Sequence, residues 1–401
     1  MKSNYRKIGD FIQLVDERNK DLKVTKLLGL SISKQFIPSV ANIFGTNMAN
    51  YKIIRKNQFA CSTMQVRRDK KMPMALLKDF EEAIISQAYP VFEVVDETIL
   101  NPEYLMMWFT RSEFDRHACF LAVGGVRGSL EWEDFLEMPI PVPSIEKQLE
   151  IVKEYNIIVD RVKLNETLNQ KLEDTAQALY KHWFLDFEFP NADGRPYKSS
   201  GGKMVFNEEL DLEIPDGWEL TNTDKSSEIL FGYSFDSKLF SVNELEKPLI
   251  RIRDIISNKA ETFTSEKVDE KYIVKPKDLL IGMDGKFHCR IWLGNESYLN
   301  QRVVRLRENS NISIYKIFFS IQEELLKLQD SIFGTTVSHL SNGNVRNLKI
   351  IKSPLDKKYQ FISNSIIQRQ NIFFSENLIL QELKDLLLSK MSKVETKTVL
   401  V

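Results

Sequence analysis

The sequence predicts an α+β protein of two similar globular modules separated by two long helices. The helices are expected to pair as an antiparallel coiled coil, with a pseudo-twofold axis relating the halves. Three observations lead there. Two long stretches carry heptad spacing. The regions outside them resemble one another at a separation of about 211–220 residues. The length of 401 residues fits two to three domains at roughly 100–200 residues each.

The first helix is expected from about Ile145 to Asp186. Ile158, Val162, Asn165, Asn169, Leu172, Ala176, Leu179 and Trp183 alternate steps of four and three, the seam of a coiled coil. No proline or glycine interrupts the run between Ser144 and Phe189, and Pro139-Ile140-Pro141-Val142-Pro143 precedes it. The second helix is expected from about Asp356 to Val394, after Pro354. Its seam is Ile362, Ile366, Phe373, Leu380, Leu383 and Leu387, with Arg369 and Glu376 as polar interruptions. Polar seam positions cost stability but specify register and partner.

The modules match segment by segment. Tyr51–Phe59 resembles Tyr272–Leu279, and Ser86-Gln87 before a strand-like run matches Asn300-Gln301 before Arg302–Leu306. Pro102-Glu103-Tyr104-Leu105 matches Ser313-Ile314-Tyr315-Lys316. Gly124-Gly125-Val126-Arg127 matches Gly334-Thr335-Thr336-Val337, and Pro143–Gln148 matches Pro354–Gln360. A period this long is domain duplication, not a solenoid. The linker from Phe189 to Pro215, with Asp193-Gly194-Arg195-Pro196 and Ser199-Ser200-Gly201-Gly202, reads as an exposed loop. A helix of about 40 residues is ~60 Å long at ~1.5 Å per residue. Antiparallel pairing would put the modules at opposite ends; the alternative is that each helix packs on its own module.

Composition narrows the class. Hydrophobic residues make up 43% of the chain, with 25 Phe, 12 Tyr and 5 Trp, which excludes a disordered chain. No apolar run approaches the ~18 residues of a membrane span. The N-terminus leads into no apolar signal core, so a cytoplasmic protein is expected. Cys61, Cys119 and Cys289 are odd in number and far apart, so neither a disulfide framework nor a zinc pattern is expected. His117 with Cys119, and His288 with Cys289, lack structural-zinc spacing, and no metal site is predicted. With 55 Lys+Arg against 56 Asp+Glu, net charge gives no bulk attraction to nucleic acid. Any such contact must come from local patches.

Enzyme signatures are missing. There is no phosphate-binding Gly-x-x-x-x-Gly-Lys-Ser/Thr and no Gly-x-Gly-x-x-Gly opening a βαβ unit. Asn101-Pro102-Glu103-Tyr104 resembles the base-binding loop of adenine methyltransferases. It is better explained as a helix start, with Asn101 as N-cap and Pro102 in the first turn. No catalytic residue is assigned. Basic clusters are more telling. Gln65-Val66-Arg67-Arg68-Asp69-Lys70-Lys71 holds four cations in seven residues, and Arg251-Ile252-Arg253, Lys286–Arg290, Gln301-Arg302 and Arg305 add more. Cations pair with phosphates; Arg, Gln and Asn also read base edges. Alone each is equally a solvated loop, but two modules at a fixed distance suit a ligand with two half-sites, and duplex DNA is the obvious one. Modules about 50–60 Å apart would span roughly 15–18 base pairs at ~3.4 Å per pair.

These residues bring a family into view. Leu179-Tyr180-Lys181-His182-Trp183-Phe184-Leu185-Asp186-Phe187 resembles the central conserved segment of type I restriction-modification specificity subunits. Ile214-Pro215-Asp216-Gly217-Trp218-Glu219-Leu220 resembles the motif that opens a target recognition domain there, and Pro141-Val142-Pro143 with Gln148 resembles the start of their conserved helix. The likeness spans essentially the whole chain. It departs in residues 1–10, which lack the Ile-Pro-x-Gly-Trp opening, and at Lys352-Ser353-Pro354 and Tyr359 in the second copy.

The resemblance implies target recognition domains at 1–143 and 214–354, a central helix at 144–188, a linker at 189–213 and a C-terminal helix at 355–394. It implies a non-catalytic subunit that reads a bipartite, asymmetric double-stranded DNA site and docks DNA methyltransferase subunits. S-adenosylmethionine would sit on those partners, with no cofactor in this chain, and restriction/translocase subunits would join for cleavage. DNA-facing candidates are Lys34, Arg67, Arg68, Ser86, Gln87, Arg127 and Ser129 in the first module. In the second they are Arg251, Arg253, Lys286, Arg290, Gln301, Arg302, Ser338 and His339. Trp183 and Phe184 are assigned to packing or partner docking. The competing reading is a coiled-coil assembly adaptor without direct DNA recognition.

Overall fold

The computed structural model describes residues 5–39, 46–124, 128–309, 312–331 and 339–393. The chain divides into two compact units, Met1–Arg161 with Leu380–Val401, and Val162–Ile379.

The first unit is built on a four-stranded antiparallel sheet. Its strands are β1 (Ile12–Val15), β2 (Phe59–Cys61), β3 (Met74–Leu76) and β4 (Val91–Val94), in the order β1-β4-β2-β3. Strands β2 and β3 are buried at every position, and Phe59 stacks on Phe92 across the sheet at 4.9 Å. Helices α1 (Pro102–Thr110) and α2 (Ser112–Leu121) follow. Asn101 caps α1 by accepting from the Glu103 and Tyr104 amides at 2.9 and 3.1 Å, the helix start its sequence predicts. The long helix α3 (Ile145–Tyr180) then begins. Gln148, fully buried in its first turn, donates to the Ile99 and Pro143 carbonyls and accepts from the Asn101 amide. One glutamine thus ties the start of α3 to the cap of α1. Ile151 and Val152 of α3 share this unit's core with Leu388 and Met391 from the C-terminal segment.

The second unit repeats the plan. Strands β5 (Ser227–Phe231), β6 (Leu279–Gly282), β7 (Cys289–Ile291) and β8 (Val303–Glu308) form an antiparallel sheet in the order β5-β8-β6-β7. That order is the one found in the first unit. A five-stranded sheet of short strands flanks it. Helix α4 (Ile314–Ser331) follows β8, and the long helix α5 (Asp356–Lys390) begins after Pro354. The paired glycine-rich segments fall largely outside the described residues.

Within this unit α3 and α5 lie against one another, which answers the alternative that each packs on its own module. The Asn165 side-chain amide donates to Glu376 Oε2 at 3.0 Å and Asn377 Oδ1 at 2.8 Å. Gln370 donates to the Asn169 carbonyl at 3.1 Å, and Tyr359 Oη to the Ala176 carbonyl at 3.0 Å. As numbers rise along α3 they fall along α5, so the helices run antiparallel. The seam differs by one position from its predicted register. Gln370 is buried where Arg369 was expected, and Arg369 points to solvent. A buried guanidinium would need a counter-charge, whereas the Gln370 amide finds a backbone carbonyl. In the part of α5 that belongs to the first unit, Leu383, assigned to the seam, is 45% exposed, while Leu388 is buried.

Helix α3 closes through a π-helical turn, Lys181–Leu185. The chain after it is not the plain loop its composition suggests. Met204–Asn207 and Leu212–Pro215 form a hairpin, and Phe189 stacks between Tyr197 at 4.5 Å and Trp218 at 5.1 Å. A second lock ties α4 to α5. The Lys316 ammonium is buried against Asp356 and lies 3.8 Å above the Phe184 ring. Asp356 also accepts from Ser353 N at 3.0 Å and Ser353 Oγ at 2.8 Å. Burial pushes the Lys316 amine down to about 8 against the opposing pull of Asp356. Replacing Asp356 by Ala strands that ammonium and should cost about 3–5 kcal/mol in urea unfolding. Lys316→Met combined with Asp356→Ala should cost less than the sum of the single changes. A strictly additive pair would mean that the two groups do not interact.

Candidate nucleic-acid interface

In the first unit the β2–β3 connection carries the densest basic cluster. A single helical turn, Val66–Asp69, is flanked by two residues in left-handed conformation, Gln65 (φ 64°) and Lys70 (φ 51°). Val66 is fully buried and pins the turn, which leaves Arg67 and Arg68 exposed. Arg67 donates from its guanidinium to the Gly124 carbonyl at 3.2 Å. Its side chain lies against Gly128, where a β-carbon would come within 2.7 Å of Arg67 Cβ. Glycine is therefore required there. Arg68 forms a two-pronged pair with Asp69 at 2.6 and 3.1 Å. Ser129 is half-buried and bridges Val123 through its backbone, next in the chain to the glycine that receives Arg67. Ser86 is half-buried and Gln87 exposed, in the turn that leads into β4. Arg127 lies outside the described residues.

Lys34 does not belong with them. Its ammonium pairs with Asp115 at 2.7 Å, bonds the Phe109 carbonyl, and is 8% exposed. Asp115 also accepts from the Met72 amide at 3.1 Å, at the foot of the basic turn. Lys34 and Asp115 therefore fasten that turn to α1 and α2 from within. Burial holds the Lys34 amine below its ordinary range.

The second unit gathers its candidates more tightly. A cleft of about 600 Å³ is lined by Arg251, Arg253, Gln301 and Arg302, together with Phe235 and His288. Gly232 makes the close approach that sets one wall, since a β-carbon there would fall 1.9 Å from the Asn300 carbonyl oxygen. Arg253 donates to Thr262 Oγ1 at 3.2 Å and lies 3.5 Å from the buried Asp254 carboxylate. Arg251 is exposed. Lys286, exposed, and Arg290, half-buried, line a neighbouring groove of about 510 Å³. Arg290 is committed to Glu173 of α3 at 2.7 Å, so it serves as a tether between sheet and helix. Arg305 is also misassigned as a surface cation, being 1% exposed and bound to Glu228 and the Lys271 carbonyl. His339 and Arg302 meet on one carboxylate, Asp284, at 2.6 and 3.2 Å. Ser338 lies outside the described residues. Asp284 and Phe235 were not among the residues singled out from sequence; Asp284 lies two residues before Lys286, whereas nothing local marked Phe235.

Trp183 and Phe184 are 6% and 1% exposed, so of the two roles expected for them the structure places them in packing. Phe184 meets Tyr359 edge-on at 5.1 Å and Trp218 at 5.7 Å, so these rings join α3, α5 and the second module in one core. Among the described residues no group of three His, Cys, Asp or Glu is placed to hold a metal, and no helix is long and apolar enough to cross a membrane.

Two modules on one sheet plan, each with basic loops at the sheet margins and each followed by a long helix, define a duplicated recognition protein. The chain belongs to the type I restriction modification DNA specificity domain family, whose model matches it twice, at residues 2–174 and 216–387. It is 32% identical over 145 residues to the type I restriction enzyme EcoBI specificity subunit of Escherichia coli, a match covering 36% of this chain and 31% of that one. The MjaIX specificity subunit of Methanocaldococcus jannaschii is 23% identical over 301 residues, 72% of this chain and 68% of the relative. The S subunit of a type I restriction-modification system from M. genitalium has the same fold, with a TM-score of 0.58 at 16% identity over 96% of this chain and 95% of that one.

Burial separates the candidates experimentally. Lys34→Ala leaves Asp115 unpaired and should lower stability by about 3–5 kcal/mol, and Trp183→Ala should do the same through its cavity, by about 3–5 kcal/mol. Arg67→Ala should stay within about 0.5 kcal/mol of wild type. Chemical denaturation reads all three. A stable Lys34→Ala protein would return that lysine to the surface.

Proposed function

We propose that this chain is the non-catalytic DNA-specificity subunit of a type I restriction-modification complex, reading a bipartite, asymmetric duplex site, one half-site per module. The observation that carries this reading is the pairing of one scaffold with two different basic margins. The sheet order is repeated, but the first module presents Arg67 and Arg68 on a strained turn and the second presents Arg251, Arg253, Gln301 and Arg302 in a cleft. Arginine and glutamine read guanine and adenine edges through paired hydrogen bonds. Two different sets imply two different half-sites. Catalysis belongs to partner subunits in this reading, with S-adenosylmethionine bound by the methyltransferase and a restriction/translocase subunit joining for cleavage.

Docking of the methyltransferase is supported by α5. Phe361, Ile372 and Ile379 are 77%, 63% and 60% exposed. At about 100° per residue they fall within roughly 20° of one another and opposite Gln370 of the buried seam. Ser365, Gln368 and Ser375 share that face, so the three exposed apolar side chains offer separate anchor points for a partner rather than a continuous stripe. Phe361→Ser with Ile372→Ser should leave thermal unfolding unchanged while the methyltransferase no longer co-purifies; full retention of the partner would remove this face from the interface.

Arg67→Ala with Arg68→Ala should cost about 1–3 kcal/mol per lost base contact at one half-site and spare the other. Methylation of duplexes altered in one half-site at a time measures this. Equal losses at both would show that the turn does not act locally.

A further inference from the structure

We propose that Asp284 is a positioning and specificity-determining residue of the second module's cleft: one carboxylate holds Arg302 and His339 in place and weakens binding to DNA that offers Arg302 no matching base. This inference rests on the DNA-reading role proposed above.

Asp284 binds its two partners through different oxygens, Oδ2 to Arg302 Nε at 3.2 Å and Oδ1 to His339 Nδ1 at 2.6 Å, so both are held at once. The carboxylate is itself fixed. It lies two residues past the end of β6 and bridges His339 through the backbone. Met283 N donates to the Arg302 carbonyl at 3.0 Å, and Leu340 N to the Met283 carbonyl at 2.8 Å. Gly285, with φ +68°, turns the chain away at the next residue. Arg302 faces that carboxylate through Nε as an ion pair, and among the described residues no hydrogen bond from its terminal nitrogens is found. Those two nitrogens are the pair that grips guanine O6 and N7. Orienting the guanidinium from its stem leaves its reading edge available.

The first module shows what is special here. The same crossing exists there, with Leu130 N donating to the Thr63 carbonyl at 2.9 Å. The residue after Thr63 is Met64, exposed and neutral, where the second module has Asp284. A carboxylate beside a phosphate-facing surface repels every duplex, cognate or not. Its benefit, an aligned Arg302, appears only with the correct base. Asp284 therefore trades general affinity for discrimination.

The test uses the full chain assembled with its methyltransferase subunits and a duplex library with a randomised central segment. Wild type should select two half-sites; failure to select any sequence would sink the DNA-reading role itself, before Asp284 is in question. Affinities are then measured for the selected duplex and a scrambled one. Asp284→Asn should bind scrambled duplex about fivefold more tightly, as expected for one charge removed near phosphate in water. Cognate affinity should stay within about twofold, as expected when the base contact itself is kept. Sequence preference should fall at one half-site only, and Asp284→Glu should restore part of it. Arg302→Gln should instead weaken the selected duplex roughly tenfold through that same half-site. The inference is overturned if Asp284→Asn leaves scrambled binding and both half-sites as in wild type, or relaxes both half-sites equally.

Discussion

The seam between α3 and α5 is the constraint on which the second unit depends. Helices of 36 and 35 residues are about 50 Å long, and their apolar stripes gain nothing until they face one another. A purely apolar heptad seam would tolerate a slip of one repeat. Here Asn165 must meet Glu376 and Asn377, Gln370 must meet the Asn169 carbonyl, and Tyr359 must meet the Ala176 carbonyl. A slip would leave several of these groups buried without partners, at about 1–3 kcal/mol each. Register is set by these polar contacts, and the apolar positions supply the bulk of the burial.

The module is attached to that seam by a few specific contacts. Lys316 with Asp356 joins α4 to the first turn of α5, Arg290 with Glu173 joins the sheet to α3, and Trp218 packs its ring on Phe184 and Phe189. Sheet and helices therefore behave as one body, and the loops at the sheet margin inherit its rigidity. That separation of roles lets recognition diverge without disturbing the fold. Strands β2 and β6 are buried throughout in both copies, while the connections that follow them differ completely: a four-residue basic turn in one, and Asp284-Gly285-Lys286 in the other.

What the sequence made legible was whatever repeats or punctuates. The duplication could be read because turn residues, helix caps and proline boundaries recur at matching offsets, and the two sheets do share one strand order. The long helices could be read because 35 residues without proline or glycine leave few other outcomes. Lys34 could not be assigned correctly, because its partner Asp115 is 81 residues away and nothing local marks a lysine that folds inward. Trp183 and Phe184 invited a docking role because aromatics at a helix end are ambiguous until Tyr359 and Trp218 are seen beside them. The one-position error at Arg369 has the same origin. Adjacent polar residues in a heptad differ in burial only through what faces them, and Gln370 had a carbonyl to bond.

A chain with net charge −1 can still present a strong local field, because its cations divide into two populations. Many are neutralised at short range: Arg55 by Glu17 and Glu82, Arg307 by both oxygens of Asp278, Lys34 by Asp115. These contribute to the fold and little to the distant field. The side chains of Arg67, Lys286 and Gln301 have no carboxylate bonded to them among the described residues, and Arg251 bonds Asp254 only through its backbone amide, so their charge or donors remain available to a ligand. Such exposed charges act over about 8–10 Å at physiological salt, enough to engage a phosphate backbone at each module but too short to draw one in from afar. Attraction from further away is weak, so binding at either module depends on the contact geometry of these side chains.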